Sequence, residues 1–317
     1  MKTSFKFRDI AERENDPSFV VAVRLIGMVN LFKGDLNTAR KYLEESLSVY
    51  NARIHRELAS RYGSEPAVIA NCLLILTNWL QGYPEKALAN MREAQRIAAK
   101  TPHPHTQNLT LVYSAMLHQY LRLPQKVTEL AAKQIKLSEE GGLAMWHALG
   151  GIIYACANGE IENKPAAVNE MQDGIKKLRD TGTQIFSNVY FCLAELCGKF
   201  GQTEFGLAAL REAQKIIEEN NEFWLKSELY RLRGELQLQN GADENEAATH
   251  FLKAIKIARL QTAKSLQLRA TMSLSRLWQK QGETAKARKS LAKIYNWFTE
   301  GFDTGDLLDA KEFLDKL

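Results

Sequence analysis

What this chain lacks narrows its class before anything it contains. Its longest apolar runs, Cys72 to Leu76 and Gly150 to Ala157, are far shorter than the roughly 18 residues a transmembrane helix needs. No membrane span is therefore expected. Four cysteines (Cys72, Cys156, Cys192 and Cys197) form no C-x-x-C pair, and Cys192 and Cys197 do not share a helix face. They read as reduced, buried thiols of a cytoplasmic protein. Met1 to Asp16 is charged throughout, unlike a secretory signal. There is no G-x-x-x-x-G-K-[ST] loop to cradle nucleotide phosphates and no paired-aspartate strand–loop pattern. The six histidines are scattered. Their one cluster, His103-Pro104-His105, lies in a turn with no Cys or acid close in sequence to complete a metal site. No Ser-His-Asp or Cys-His arrangement is visible, and Glu139-Glu140 and Glu218-Glu219 read as solvated helix ends. The chain is expected to be non-enzymatic, with no cofactor and no metal.

What is present is a repeat. Seven times a small residue or Val is followed four residues later by a partner that is, with one exception, large and apolar. The first members are Ala39, Ala87, Val127, Ala167, Gly206, Ala247 and Ala287, and their partners are Leu43, Met91, Ala131, Met171, Leu210, Phe251 and Leu291. The successive spacings are 48, 40, 40, 39, 41 and 40 residues, with Ala131 the one weak partner. A period so steady signals helical hairpins, each burying its apolar face only against its neighbours. All seven prolines fall between apolar-periodic stretches. Tyr83-Pro84 and Leu123-Pro124 place proline in the first turn of a second helix, where its missing N–H costs nothing. Gly34-Asp35, Gly201-Gln202 and Gly282-Glu283 mark the same turn elsewhere.

These features resemble a tetratricopeptide array with helices longer than the family's standard unit. The resemblance implies that Gly27 and Gly234 admit close approach of the second helix, with Ser46, Ala94, Ala213 and Ala254 at the third signature position. The expected fold is all-α. It is a right-handed α-solenoid of about seven hairpins over residues 20–297, forming a single domain 1–317. An orphan helix occupies 1–19 and a capping helix 303–317, with Asp303 as its N-cap and Leu307, Leu308, Phe313 and Leu314 as its apolar positions.

Several phrases carry the resemblance further. They are Arg61-Tyr62-Gly63, Trp79-Leu80-Gln81-Gly82-Tyr83-Pro84, Arg231-Leu232-Arg233-Gly234-Glu235-Leu236, the run 263–270 and the ending Trp297-Phe298-Thr299-Glu300-Gly301-Phe302-Asp303-Thr304. Together they resemble the C-terminal array of bacterial signalling proteins with an ATPase of the AAA/STAND kind, many of which also carry a class III adenylate/guanylate cyclase domain. The segment Phe5 to Glu14, with Phe5, Phe7, Ile10 and Ala11 on one face, reads as the second helix of a repeat whose first helix is missing. The expectation is an excised C-terminal piece whose exposed N-terminal end invites self-association.

The first helices of the hairpins should line a concave groove. The positions assigned to it are Ile69, Cys72, Leu76 and Trp79, then Leu109, Val112, Met116 and Tyr120, then Trp146, Leu149 and Ile153. Charged positions follow: Glu195 and Lys199; Glu228, Arg231 and Glu235; Arg269, Met272, Arg276 and Lys280. In that register the groove is apolar at its N-terminal half and charged at its C-terminal half. In the alternative register, the longer helices turn the apolar residues into the hairpin cores. The expected function is a regulatory interaction module binding a protein or peptide segment, or the adjacent ATPase or cyclase domain, in the groove. Two rivals remain. One is a small-molecule (inducer) sensor with an enclosed apolar pocket around Trp79, Met116 and Trp146. The other is an anion or nucleic-acid binder using Lys253 to Lys293, where eleven basic residues face a single acid, Glu283. Against that rival, Glu300 to Asp315 carries six acids that can neutralise the basic face.

Overall fold

The computed structural model describes residues 2–55 and 57–317, and among these every regular element is helical. Helix α1 (Lys2–Arg13) precedes the hairpin α2 (Phe19–Lys33) and α3 (Leu36–Ser48). Two short helices, α4 (Ala52–His55) and α5 (Leu58–Tyr62), come next. The second, third and fourth hairpins pair α6 (Pro66–Leu80) with α7 (Pro84–Ala98), α8 (Pro104–Tyr120) with α9 (Pro124–Glu140), and α10 (Ala144–Glu162) with α11 (Ala167–Asp180). The fifth pairs α12 (Ser187–Lys199) with α13 (Thr203–Asn220). A 3-10 turn, Phe223–Leu225, leads into α14 (Lys226–Gln239) and α15 (Glu244–Leu260); α16 (Lys264–Lys280) and α17 (Thr284–Tyr295) follow, and α18 (Gly305–Lys316) ends the chain.

Local chemistry accounts for the punctuation. Helices α6, α7, α8 and α9 all begin with proline, whose fixed φ suits a first turn. Gly34 ends α2 at φ +83, and Asp35 then caps α3 by accepting a hydrogen bond from the Thr38 amide at 3.1 Å. The repeat signature is the packing seam. Ala39, Ala87, Ala247 and Ala287 are fully buried, as are Leu43, Phe251 and Leu291. A Cβ on Gly27 would sit 2.7 Å from Leu43, and one on Gly234 would sit 2.6 Å from Phe251, so only glycine lets those helices approach so closely.

The spacing of 48 between the first two repeats has a structural cause, because α4 and α5 are inserted there. Leu58 of α5 packs with Val20, Val21 and Phe7. Helix α1 lies on this cluster, with Phe5 edge-on to Tyr42 at 6.0 Å and Ala11 buried, while Ile10 of its expected apolar face stays exposed. At the other end, α18 buries Leu307 and Ala310 and leaves Leu308 exposed. Its N-cap is Thr304, not Asp303. The chain turns sharply at Gly301 (φ +74), leaving Asp303 in solvent, and the Thr304 hydroxyl donates to the Gly301 carbonyl at 2.6 Å.

The array curls until its last hairpins meet its first. Ser265 donates to the Trp79 carbonyl at 2.6 Å, and Arg269 to the Tyr120 carbonyl at 2.9 Å. Arg122, in the α8–α9 turn, pairs with Asp309 and lies 4.0 Å from Asp306 on α18. A Glu300 carboxylate oxygen accepts from the amides of Glu85 and Lys86 at 2.8 and 3.3 Å. It thereby caps α7, whose own N-cap residue, Tyr83, supplies no side-chain bond. Farther round, Phe32 of α2 stacks on Phe186 at 5.7 Å and meets Trp224 edge-on at 6.2 Å. These contacts join residues up to 215 apart in sequence and turn the groove into a lumen that stays partly open to solvent.

Candidate functional site

The lumen has two chambers. The first is apolar and about 350 Å³ in volume. It is walled by Met28 and Phe32 from α2, Leu76 from α6, Leu109, Val112, Tyr113 and Met116 from α8, and Met145, Trp146, Leu149 and Ile153 from α10. The α11–α12 loop (Thr183, Gln184, Ile185, Phe186) and Trp224 close it from the C-terminal side. The second chamber, about 480 Å³, is bounded by Trp79, Tyr120, Arg122, Glu160, Glu195, Lys199, Glu228, Arg231, Arg269, Asp306 and Asp309, with the exposed Arg276 at its rim. Gln119, Asn188 and Cys192 border both chambers. The Gln119 amide donates to the sulfurs of Cys156 (3.4 Å) and Cys192 (3.2 Å), which fixes the partition between them.

The residues assigned to the groove by the sequence divide between these spaces. Leu76, Val112, Met116 and Trp146 line the apolar chamber. Trp79, Tyr120, Glu195, Glu228, Arg231, Arg269 and Arg276 line the charged one. Glu235 instead faces a neighbouring hollow, which it shares with Arg276 and Lys280. The apolar members are 1–6% exposed at Leu76, Trp79, Val112 and Trp146, because the closed array shields them from outside. Trp79 stacks on Tyr120 with ring centroids 4.2 Å apart, and the Arg269 guanidinium lies 5.0 Å from the Trp79 ring centroid.

The charged chamber is an ion-pair chain. Arg231 donates to Glu228 through two nitrogens, at 2.9 and 2.6 Å, and reaches Glu195 at 2.7 Å. Arg269 binds Asp306 at 2.6 Å and lies 3.7 Å from Glu228. Burial disfavours the charged form of Glu228, but the two arginines outweigh it and hold that carboxyl below the usual glutamate range. Desolvation pushes Glu195 up despite Arg231, and pushes Glu160 up with help from the negative charge on Glu195. Glu228, Arg231 and Arg269 are thus held largely by one another.

Other candidates find structural roles. His103 caps α8 by accepting from the Thr106 amide at 3.3 Å, and His105 accepts from the Trp146 indole at 2.8 Å. Among the described residues no group of three or more His, Cys, Asp or Glu is placed to hold a metal, and no helix is long and apolar enough to cross a membrane. In the basic stretch, Arg269 points inward to Asp306 and Lys280 pairs with Glu244 at 2.8 Å. Lys253, Lys264 and Lys286 lie over the rings of Tyr230, Trp297 and Trp278.

No model of a known protein family matches the chain. An uncharacterized protein of Rhizobium meliloti (strain 1021) is 21% identical over 277 residues, covering 86% of this chain and 27% of that protein. The chain therefore spans about a quarter of that relative's length. Among solved structures, the apo form of RapI superimposes with a TM-score of 0.50 at 12% identity, over 94% of this chain and 99% of RapI. The fold is a tetratricopeptide-like helical repeat. A signal transduction ATPase with numerous domains and a tetratricopeptide repeat sensor, from Pyrococcus horikoshii, is similar at a TM-score of 0.46 and 15% identity, over 95% of this chain and 45% of that one.

Sequence reasoning overlooked several lumen residues of this repeat array. Met28 and Phe32 stand four apart on α2, a signal that was present in the sequence. Residues 183–186 belong to a loop, and Asp306 to the closing helix, so no helical period could assign either to the lumen.

Proposed function

We propose that this chain is the non-enzymatic sensor array of a longer signalling protein, and that its ligand is a small amphipathic molecule held in the lumen. The observation that carries this reading is the partly open apolar chamber of about 350 Å³, formed jointly by the first four hairpins and by residues of the fifth and sixth. The interior charges that an extended protein segment would need are engaged in ion pairs with one another. A ligand touching both halves binds the closed array better than an opened one, so it shifts that equilibrium. Attached ATPase or cyclase domains, which the sequence resemblance implies, would read the shift.

The test uses N-phenyl-1-naphthylamine, a neutral apolar fluorophore. The wild-type chain is expected to take up one equivalent saturably, with enhanced emission. Met116→Trp and Leu149→Trp, which fill the chamber from half-buried wall positions, should abolish uptake while leaving the helical circular dichroism intact. Absence of wild-type binding, or equal binding by both variants, would sink the reading. A protein partner remains a second reading for the outside of the array. It rests on the hollow beside Trp278, where Leu252 and Leu260 are 51% and 78% exposed. Leu260→Asp should weaken capture of an attached ATPase or cyclase domain, and unchanged capture would place the contact elsewhere.

A further inference from the structure

One buried charge has no counter-charge among the described residues. Arg24, on α2, is only 6% exposed, and its Nε has no hydrogen-bond partner. No carboxylate among the described residues pairs with it, and the titratable group that feels its charge is Tyr113. Burial pushes the guanidinium down, to about 10, which still leaves it charged at neutral pH. An isolated buried cation is among the costliest arrangements a fold can retain, so its retention calls for an anion. Position supplies the rest. Met28, Phe32 and Tyr113 line the apolar chamber; Arg24 is not itself part of that wall, but it stands one helical turn before Met28 on α2 and its charge is felt by Tyr113.

We infer that the apolar chamber takes a monoanionic amphiphile, a medium-chain carboxylate, with its head on Arg24 and its chain along Met28, Phe32 and Met116. This rests on the lumen reading above and gives it a ligand class. The charged chamber is the weaker candidate for the head. Arg122, Arg231 and Arg269 there are already matched by Asp309, Glu228, Glu195 and Asp306, and Arg276 is exposed at the rim. The carboxylate would accept a bidentate pair from the guanidinium and a further bond from the Tyr113 hydroxyl. The chain would desolvate against thioethers and rings, which adapt readily to a flexible alkyl group.

The experiment measures binding of decanoate, decan-1-ol and decylammonium to the full chain at pH 8 by calorimetry, for the wild type, Arg24→Met and Arg24→Lys. The wild type is expected to prefer decanoate over decan-1-ol by at least about tenfold and to reject decylammonium. Arg24→Met should bind the alcohol as the wild type does, lose the preference for the acid, and melt at a higher temperature without ligand, because an uncompensated charge is gone. Arg24→Lys should keep part of the preference. If the wild type binds the alcohol as tightly as the acid, or Arg24→Met keeps the preference, the inference is overturned while the chamber reading stands. If none of the three probes binds and the naphthylamine is also refused, both fall together.

Discussion

Closure of the array can be loosened without changing the shape of any side chain, by Asp306→Asn. Asp306 accepts from Arg269 at 2.6 Å with both side chains under 20% exposed, while its second neighbour, Arg122, is half exposed at 4.0 Å. A hydrogen bond to a charged group contributes about 1.5–3 kcal/mol. An exposed pair contributes about 0–1 kcal/mol. Arg269 is not orphaned by the change, because it keeps the Tyr120 carbonyl at 2.9 Å and Glu228 at 3.7 Å. The Arg269 bond joins α16 to α18 on one side of the junction, so its loss loosens α18 locally, and only the Arg122 contact reaches an early hairpin. The expected weakening of closure is therefore about 1 kcal/mol, or roughly fivefold in the opening equilibrium. Native-state hydrogen exchange reads this directly. The amides of Glu85 and Lys86, which Glu300 caps only while the array is closed, should exchange faster by that factor, together with those of α18. The α12–α13 hairpin, which contributes to the lumen but not to this junction, should keep its rates. Unchanged exchange at Glu85 and Lys86, or an equal rise in every hairpin, would refute the closure argument. Glu300→Gln weakens a second contact across the same junction and should produce the same pattern at similar amplitude, because both contacts are exposed.

Two further predictions concern packing and pH. Gly151→Ala and Gly234→Ala are the same change in two helices, yet they should differ in sign. A Cβ at Gly151 meets nothing within 4 Å, so the variant should gain about 0.5–1 kcal/mol of backbone entropy. One at Gly234 lands 2.6 Å from the fully buried Phe251, where overpacking of about 1–3 kcal/mol offsets or exceeds that gain. Equal stabilisation of both in thermal melts would mean that the repeat seam is misplaced. Glu160 is held above the ordinary glutamate value of 4.5 by burial first and the charge of Glu195 second. The folded chain thus binds this proton more readily than the unfolded one. The contribution favours folding at low pH and is lost as pH rises through the raised value. Glu160→Gln should accordingly raise the melting temperature at pH 7 and flatten its dependence between pH 4.5 and neutrality; a profile identical to the wild type would contradict this.

The hairpins were legible in the sequence because their causes are local. Ala39 with Leu43, or Ala247 with Phe251, brings together residues four apart on one helix, and Pro84 or Gly34 acts within a single turn. The family resemblance of these phrases added the expectation that Gly27 and Gly234 mark close approaches, and the clashes a Cβ would meet there give the reason. The inserted helices α4 and α5 left only an indirect trace, a spacing of 48 where the others lie near 40.

The stripe Leu76, Val112, Met116, Trp146 was ambiguous in the sequence. Helical periodicity says which residues share a face, but not whether water, a neighbouring helix or a cavity lies opposite. That depended on curvature, which accumulates as a small rotation from each hairpin to the next. Only the sum over the array brings Arg269 to Tyr120 and Glu300 to the start of α7, across 149 and 215 residues. The sequence by itself determined the repeat, its turns and its close contacts, since short-range sterics and capping set them. The tertiary structure alone decided that the groove curls into two chambers and that Arg24 is buried with its Nε unpaired among the described residues, because both follow from contacts no local pattern encodes.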